Sequence, residues 1–578
     1  MKQKTVTGAS VPRILLAGVF GPYGVDDGYG RKENIMELFH NQVTRGQGAA
    51  SLRFHHRSFG LYFLAENVDA DVTVLDFPSK RRFVRELRRG WDVVGISFIA
   101  PNMVKAREMA RLTRLHAPGA TIVIGGHGAA IDGIEELIDC DHVVRGEGIR
   151  PLRELLGQDP DAPITHPVLP STEYQRIFGV PVPGPTASLL VPGVGCVNGC
   201  RFCCTSHFFG KAYTPYLSTG RELFETACRI ADQRGTDTFF VMDENFLKDR
   251  RRAMDLLAEM ERHRRWFKFH VFSSAEAIAA FGVTNLVRLG AQFVWVGFET
   301  STLPDAFAKN ESVDARALVR ELRDHGISVL ASGILCMEHH TPGNIPQDID
   351  YMVGLEADMV QFMLLTPMPT TSFYRQCESD GTLRRDLPIE EFHGQKHLCY
   401  EHPEFPGDEP ARWLDRAFAR DFEVNSSSMY RTAETSLRGY RTLDAMPGRD
   451  ACLEARRRQL AARTREYASM LPGLGRFATH ELERKRSRLL DREVSEALGP
   501  PTKKEHLLRA GAVAAMALWK TRLTLIGDRM QPKTIATCYR ARNRSVIEWP
   551  LSNIIPSPEP FSVSDECRRV ACQSIASE

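Results

Sequence analysis

Short apolar runs rich in β-branched residues alternate with helical patterns from Pro12 onward. This alternation predicts parallel strands covered by helices on both faces, and therefore an α/β fold. The first strands are expected to form a doubly wound, flavodoxin-like or Rossmann-like open sheet. We place them at Ile14–Phe20, Val72–Phe77, Val93–Phe98, Thr121–Ile124 and His142–Val144, with helices such as Met103–His116 and Ile131–Ile138 between the later ones.

The carboxyl ends of these strands carry small and polar residues, and open α/β sheets bind their ligands at those ends. No GxGxxG turn follows the first strand and no GxxxxGKS/T loop is present, so the dinucleotide and P-loop classes lack their phosphate-binding turn. For any single strand end, glycines that only make a tight turn are the simpler interpretation. Several such ends together indicate a large, flat ligand, whose candidate contacts are Ser97, Gly125, Gly126, His127, Gly146 and Glu147.

The chain length of 578 residues is enough for about two to four domains. Six prolines between His166 and Pro192 interrupt both helix and strand patterns and mark a domain boundary. We therefore expect a first domain at residues 1–165, a linker at 166–190, a second domain at 191–410, a helical domain at 411–530 and a poorly ordered tail at 531–578.

Charge and cysteine usage narrow the function classes. Lys and Arg total 74 against 72 Asp and Glu, so no basic excess indicates a nucleic-acid partner. We expect no secretion signal, and no apolar run reaches the roughly 20 residues that span a bilayer. The thirteen cysteines are dispersed except for four between Cys196 and Cys204, which favours a metal site in a reducing cytoplasm over a disulfide scaffold.

The segment VPGVGCVNGCRFCCTSHFFG holds Cys196, Cys200 and Cys203 in a CxxxCxxC arrangement. Three thiolates on one short loop can converge on a single iron–sulfur cluster and leave one iron open. Zinc is the main alternative, with Cys204 as the fourth thiolate. Adjacent Cys203 and Cys204 cannot easily aim both sulfurs at one tetrahedral ion, so the spacing favours the cluster.

A second series of strand-like runs follows the cysteine loop, as a partial (β/α) barrel requires. Most of the runs stop at polar groups, among them Asp243, Glu244 and Glu299, while Ser332 lies within a run. For a single acid, capping of the next helix is the alternative role. Acids at several strand ends of one barrel together indicate a site. The runs are Thr238–Met242, Phe269–Phe272, Phe293–Gly297, Val329–Leu335 and Met359–Leu365.

The cysteine loop, with Phe202 before its third cysteine, and the glycine-rich ends of the first sheet resemble the radical S-adenosylmethionine (SAM) enzymes that carry an amino-terminal cobalamin-binding domain. The resemblance covers about residues 12–430. It includes TPMPTTSFY, which is similar to the family's TPxPGTPLY segment but has Thr370 where glycine is usual.

The resemblance implies a set of cofactor contacts. A 4Fe-4S cluster would be held by Cys196, Cys200 and Cys203, and SAM by Phe202, Asp243, Glu244, Glu299 and Ser332. Cobalamin would bind at the ends of the first sheet, at the contacts proposed above. The family's DxHxxG motif is absent, so cobalamin would bind without a histidine ligand from that motif.

The resemblance also implies a reaction. The cluster would cleave SAM reductively to a 5′-deoxyadenosyl radical that abstracts hydrogen from an unactivated carbon, and methylcobalamin would then methylate that carbon. The expected partners are a small-molecule or lipid-like substrate and an electron donor such as flavodoxin or ferredoxin. The alternatives are cyclisation, oxidation or carbon–carbon coupling with the same cofactors, and a non-catalytic cobalamin or iron–sulfur sensor.

The carboxyl-terminal third is rich in Arg, Leu, Ala and Glu at helical spacing, which predicts packed helices with solvated basic faces. The segment Leu507–Ile526 combines an apolar face with Arg509, Lys520 and Arg522. This pattern is compatible with peripheral contact between a helix and a membrane surface. The alternative is a helix that caps the core of its own protein.

Overall fold

The computed structural model describes residues 11–20, 38–52, 56–172, 175–177, 180–182, 186–302, 310, 313–527, 534–541 and 546–549. The strands in these residues are β1 Arg13–Gly18, β2 Asp71–Asp76, β3 Val93–Ser97, β4 Thr121–Gly125, β5 His142–Val143, β6 Gln175–Ile177, β7 Val180–Val182, β8 Ser188–Leu190, β9 Gly193–Gly195, β10 Tyr213–Pro215, β11 Thr238–Val241, β12 Lys268–Phe272, β13 Ala291–Glu299, β14 Ser328–Leu335, β15 Met359–Leu364, β16 Ile535–Tyr539 and β17 Val546–Trp549.

The α-helices of the same residues are α1 Phe59–Glu66, α2 Lys80–Leu87, α3 Met103–His116, α4 Ile134–Leu137, α5 Ile149–Leu155, α6 Cys204–Phe208, α7 Gly220–Arg234, α8 Arg250–Arg262, α9 Ala275–Phe281, α10 Val283–Leu289, α11 Ala315–Asp324, α12 Ile345–Gly354, α13 Ser372–Ser379, α14 Glu409–Asn425, α15 Ser428–Ala445, α16 Ala451–Ala468, α17 Leu471–Phe477, α18 Glu481–Leu498 and α19 Lys503–Ile526. None of the described helices is both long and apolar enough to cross a bilayer.

The first sheet has the strand order β17-β16-β2-β1-β3-β4-β5. Strands β1 to β5 are parallel, with β1 at the centre between β2 and β3. Because side chains alternate between the two faces of a strand, Leu15 packs with Val94 on one face while Ile14 packs with Val72 on the other. The order 2-1-3-4-5 confirms the doubly wound sheet that the sequence predicts.

The carboxyl-terminal tail differs from its prediction. Strand β16 pairs antiparallel with the edge of β2, so residues 535–539 form a further strand of the first sheet. Ile535, Thr537 and Tyr539 are buried in this pairing, an alternation too short to stand out in a Pro- and Ser-rich segment. An edge strand has unpaired backbone groups, and β16 satisfies those of β2. Residues 550–578 lie outside the described part of the chain.

The second sheet is parallel and has the order β15-β14-β13-β12-β11-β8. Sequential parallel neighbours, with helices between them, confirm the partial (β/α) barrel. Strand β8 at Ser188–Leu190 lies inside the segment predicted as a linker and pairs with β11. Leu189 of β8 and Phe240 of β11 pack in one core cluster with Leu61 and Val72 of the first domain, so the two sheets share a hydrophobic contact.

Aromatic side chains line the inner side of this sheet. Phe240 lies 5.6 Å from Phe272, and Phe272 lies 4.9 Å from Trp295, both measured between ring centroids. The outward-facing residues of the same strands, such as Phe239 and Phe269, are fully buried in the core beneath the helices. Phe272 and Trp295 are partly exposed, whereas Phe240 is buried in the core cluster shared with the first domain.

The long connection between β1 and β2 extends into the second domain. Its residues Leu38–Val43 form a turn of π-helix, and Phe39 and Val43 pack against Leu330 and Met359 near the starts of β14 and β15. Gln361 donates a 3.0 Å hydrogen bond to Gln42 of the same turn. The first domain therefore closes the end of the barrel where its strands begin.

The carboxyl-terminal region is helical, as predicted, and packs outside the barrel. Arg431 on α15 forms a buried ion pair with Asp421 on α14, at 2.7 Å, and donates to the backbone oxygen of Ala357. These contacts hold α14 and α15 against the barrel.

Candidate active site

The three cysteines of the CxxxCxxC motif lie on the loop between β9 and α6. The loop is tied by Ser206, whose hydroxyl donates to the backbone oxygen of Cys196 at 2.7 Å and accepts from the amide of Gly199 at 3.1 Å. Gly199 has a φ of +66°, a conformation that favours glycine. The amide of Cys203 donates to the oxygen of Cys200 at 3.0 Å, so a tight turn joins the last two cysteines.

Burial raises the pKa of the Cys203 thiol to about 12 and raises the pKa of Cys196 as well. Burial therefore favours the neutral thiols, and a thiolate here needs a compensating positive charge. The iron of a cluster would supply that charge, and three cysteines on one loop fit a metal cluster as donors.

Asp243 does not face an open site. Its carboxylate forms an ion pair with Arg252 at 2.7 Å, and both side chains are 3% exposed. Tyr213 donates a 2.7 Å hydrogen bond to the same oxygen, and the amide of Asn245 donates to the other oxygen at 3.0 Å. With these partners, Asp243 holds the loop after β11 and is not free to bind a ligand.

Glu244, the next residue, faces a cavity between the two domains. The residue is exposed to solvent. Desolvation of its carboxyl group, together with the charge of Asp243, raises the pKa of Glu244. A carboxylate in this setting is stabilised by a cationic or hydrogen-bond-donating ligand. The sequence analysis names both Asp243 and Glu244 as candidate SAM contacts, and in the structure only Glu244 lines the cavity.

Glu299 ends β13, is 6% exposed and has a φ of +65°, which is strained for a residue with a side chain. The loop after it is fixed by Asp348, which accepts hydrogen bonds from the amide of Ser301 at 2.8 Å and from Nε2 of His340 at 2.7 Å. The other ring nitrogen of His340 accepts from the amide of Met337. The grouping of Asp348 with His339 and His340 is therefore a hydrogen-bond network that holds the Glu299 loop.

Ser332 lies inside the barrel, where its hydroxyl accepts from Trp295 Nε1 at 2.6 Å and donates to Gln361 at 2.9 Å. Sequence reasoning missed this network and the part of Gln42 in it, because the partners come from three distant segments. Phe202 is partly buried and packs against the barrel core beside the cysteine loop.

The strand ends of the first sheet border the same cavity as Glu244. The cavity has a volume of about 410 Å³. All six predicted contacts of the first domain line it, namely Ser97, Gly125, Gly126, His127, Gly146 and Glu147. The barrel contributes Gly195, Thr205, Phe208 and Glu244 to the opposite wall. The structure thus brings the two predicted groups of residues together.

Glycine is required at position 126. Its φ is +82°, and an added Cβ would lie 2.6 Å from the backbone oxygen of Phe98. The backbone after β4 therefore packs directly against the backbone after β3. Gly125, Gly126 and Gly146 also line the cavity, so the strand ends form a cradle of backbone that a flat ligand can approach closely.

His127 and Glu147 have different settings in the cavity wall. The ring of His127 stacks on Phe208, with 4.6 Å between centroids, and burial lowers the pKa of His127 to about 4, so the imidazole is neutral near pH 7. Glu147 accepts from the amides of Ile149 and Arg150 at the start of α5, and from the hydroxyl of Tyr216 at 3.2 Å. The carboxylate of Glu147 therefore holds the start of α5 and Tyr216 in place through these hydrogen bonds.

Helix α1 supplies a part of the wall that the sequence did not indicate. Phe63 of α1 stacks on Tyr216 at 5.2 Å, and both residues line the cavity. The apolar run FGLYFLAE was the only available signal, and such a run is equally typical of a core helix.

Comparisons with known proteins agree with this architecture. Residues 48–156 match the family model of the B12 binding domain. The chain is 24% identical over 202 residues to the hopanoid C-2 methylase of Rhodopseudomonas palustris (strain TIE-1), a match that covers 33% of this chain and 38% of that protein. It is 25% identical over 331 residues to the bacteriochlorophyllide d C-12(1)-methyltransferase of Chlorobaculum tepidum, which covers 53% of this chain and 70% of the relative.

A solved structure resembles nearly the whole molecule. The radical SAM methyltransferase TsrM from Kitasatospora setae, with cobalamin and a 4Fe-4S cluster bound, superposes with a TM-score of 0.53 at 17% sequence identity. The superposition covers 78% of this chain and 100% of TsrM. The chain therefore combines a segment that matches the B12 binding domain with an overall fold similar to that of TsrM.

Proposed function

We propose that the protein is a radical SAM enzyme that uses cobalamin to methylate an unactivated carbon of a small-molecule or lipid-like substrate. One observation carries the proposal: the cradle of the first sheet and Glu244 of the barrel line one cavity, with the cysteine loop at its edge. When bound, the cluster supplies the electron that cleaves SAM, and cobalamin supplies the methyl carrier.

The chain's own residues prepare SAM for cleavage in this proposal. Cys196, Cys200 and Cys203 hold the cluster and leave one iron open for SAM. Glu244 accepts a hydrogen bond from the methionine amino group, because it is the acid at the end of β11 that faces the cavity. Asp243 keeps the loop in place through Arg252. Glu299 and Ser332 are the further SAM contacts that the family resemblance implies.

The first domain supplies mainly shape, although Arg57 and Glu147 also line the cavity. Gly125, Gly126 and Gly146 let the corrin approach the backbone, while Ser97, His127 and Glu147 contact its rim. No DxHxxG histidine is present, and His127 is neutral at physiological pH. The aromatic pair of His127 and Phe208 excludes water between the corrin site and the cysteine loop.

The substrate class follows from the apolar side chains that line the cavity. Phe63, Phe208 and Phe209 are among them, and they favour an apolar or aromatic molecule. Hopanoid and bacteriochlorophyllide are the molecules named for the two curated relatives, and TsrM has been solved with tryptophan. A flavodoxin or ferredoxin is the proposed electron donor, and contact with a membrane would give access to a lipid-like substrate.

The test is anaerobic reconstitution of the full chain with iron, sulfide and cobalamin, followed by SAM and a reductant. We expect about four irons and one corrin per chain, with both 5′-deoxyadenosine and S-adenosylhomocysteine detected by mass spectrometry. Cys200→Ala should lose the cluster and 5′-deoxyadenosine. Cys204→Ala is the matched control, because Cys204 stands outside the motif, and it should retain both.

Each result has a defined meaning. Bound zinc, or a cluster that depends equally on Cys204, would refute the assignment of the three ligands. A cluster that forms 5′-deoxyadenosine without bound corrin would leave a radical SAM enzyme but refute the cobalamin-dependent reaction. Both cofactors without turnover of SAM would favour the sensor.

A further inference from the structure

Helix α19 presents an apolar face that the described residues do not cover. Its buried residues Ala512, Met516 and Trp519 share one side, which packs against the neighbouring helices. On the opposite side, a leucine stripe is formed by Leu507, Gly511, Ala514, Leu518 and Leu525, all exposed to solvent. The spacing i, i+4, i+7, i+11 and i+18 keeps these residues on one line along the helix.

The degree of exposure sets the stripe apart. Leu525, Leu507 and Leu518 are 77%, 75% and 66% exposed, and they are the three most exposed large hydrophobic side chains in the described part of the chain. They extend over about 27 Å of helix, at 1.5 Å per residue. Exposed apolar residues scattered singly are ordinary, whereas three on one stripe indicate a contact surface.

The charges around the stripe are basic at both ends. Lys503 and Lys504 lie at the beginning of the helix, and Lys520 and Arg522 lie near its end. The helix contains one acid, Glu505, which caps its own amino terminus and pairs with Arg465 at 3.2 Å. Arg509 is paired with Asp491 of α18. The positive charge beside the stripe is therefore not balanced by acids on α19 itself.

We propose that the leucine stripe of α19 docks in the plane of a membrane surface that contains anionic lipids. Leucines would enter the boundary between headgroups and acyl chains, while the basic residues at both ends would contact anionic headgroups. A second copy of this chain fits less well. Two stripes packed antiparallel would place Lys503 and Lys504 against Lys520 and Arg522, which repel each other.

The proposal goes beyond the enzymatic reaction and is testable without it. Full-length protein would be sedimented with phosphatidylcholine vesicles and with vesicles that also contain phosphatidylglycerol. We expect binding to the anionic vesicles only. Leu507→Gln, Leu518→Gln and Leu525→Gln combined should weaken this binding about tenfold or more. The matched control combines Leu115→Gln and Leu137→Gln, which change exposed leucines of the first domain and should have no effect.

A second variant tests the charges without disturbing the helix. Lys503→Glu with Lys504→Glu reverses the charge at the amino terminus, where acids favour a helix, so folding should be retained while binding to anionic vesicles falls. Equal vesicle binding by wild type and the leucine variant would overturn the proposal. So would a dimer in light scattering that only the leucine variant abolishes, because the stripe would then be a contact between copies.

Discussion

The two walls of the central cavity use different chemistry. The barrel wall presents the acidic side chain of Glu244, and the cysteine loop lies at its edge. The wall from the first domain presents mainly glycine backbone, apolar side chains and a neutral histidine. The barrel wall therefore binds its ligand through particular side-chain atoms, and the first-domain wall binds mainly through its shape. Removing a charged group should weaken ligand binding most in the barrel wall, whereas adding a Cβ should weaken it most in the first-domain wall.

The largest effect is expected where the barrel wall depends on a buried charge. Asp243→Asn leaves Arg252 buried without its carboxylate partner and should lower the free energy of unfolding by about 3–5 kcal/mol. Denaturant unfolding of the protein measures this change. Asp350→Asn, which removes an exposed pair with Arg420, is the control and should change stability by less than about 1 kcal/mol. A loss of SAM binding at unchanged stability would instead make Asp243 a ligand.

The next effect tests shape in the first-domain wall. Gly126→Ala adds a Cβ 2.6 Å from the oxygen of Phe98 at a φ of +82°, and should cost about 1–3 kcal/mol of stability and displace the corrin. Gly133→Ala also has a positive φ, +68°, but meets no atom within 4 Å. We expect cobalamin, measured by its visible absorption, to be lost from the first variant only. Equal retention in both variants would show that the cradle does not hold the corrin.

A smaller effect is expected at Glu244, where a substitution should weaken SAM binding without changing the stability of the protein. Glu244→Gln keeps the size of the side chain but removes its charge, and should weaken SAM binding about 10–100-fold with little change in unfolding. Equilibrium binding of SAM to the reconstituted protein measures this change. Glu225→Gln on the surface of α7 is the control. If SAM binds equally to both variants, Glu244 does not contact the methionine amino group.

The effect that is smallest at neutral pH is a pH dependence from the first-domain wall. Burial lowers the pKa of His127 from 6.5 to about 4, so the unfolded chain takes up a proton that the folded chain refuses between these values. This histidine therefore makes the folded state less stable as the pH falls from 6.5 to 4. His127→Gln should flatten the stability profile in this window, and exposed His506→Gln should leave it unchanged. An unchanged slope in His127→Gln would contradict the burial of the imidazole.

Much of the fold follows from local pattern. Strand β3 at Val93–Ser97, helix α3 at Met103–His116 and strand β15 at Met359–Leu364 lie within one residue of their predicted bounds. Strands β8 and β16 were missed, because three to five residues among prolines or serines carry too little periodicity. Their pairing partners, β11 and β2, lie far away in the sequence and supply the stabilisation that local propensity lacks.

The sequence alone determined the α/β class, the three-cysteine loop and the glycine-rich strand ends, because each depends on spacing within a short segment. Only the tertiary structure decided that Asp243 forms a buried ion pair with Arg252, whereas the adjacent Glu244 lines the cavity. It also decided that α19 buries one apolar side and exposes the other. Burial and charge pairing depend on which distant segments meet, and a linear pattern does not contain that information.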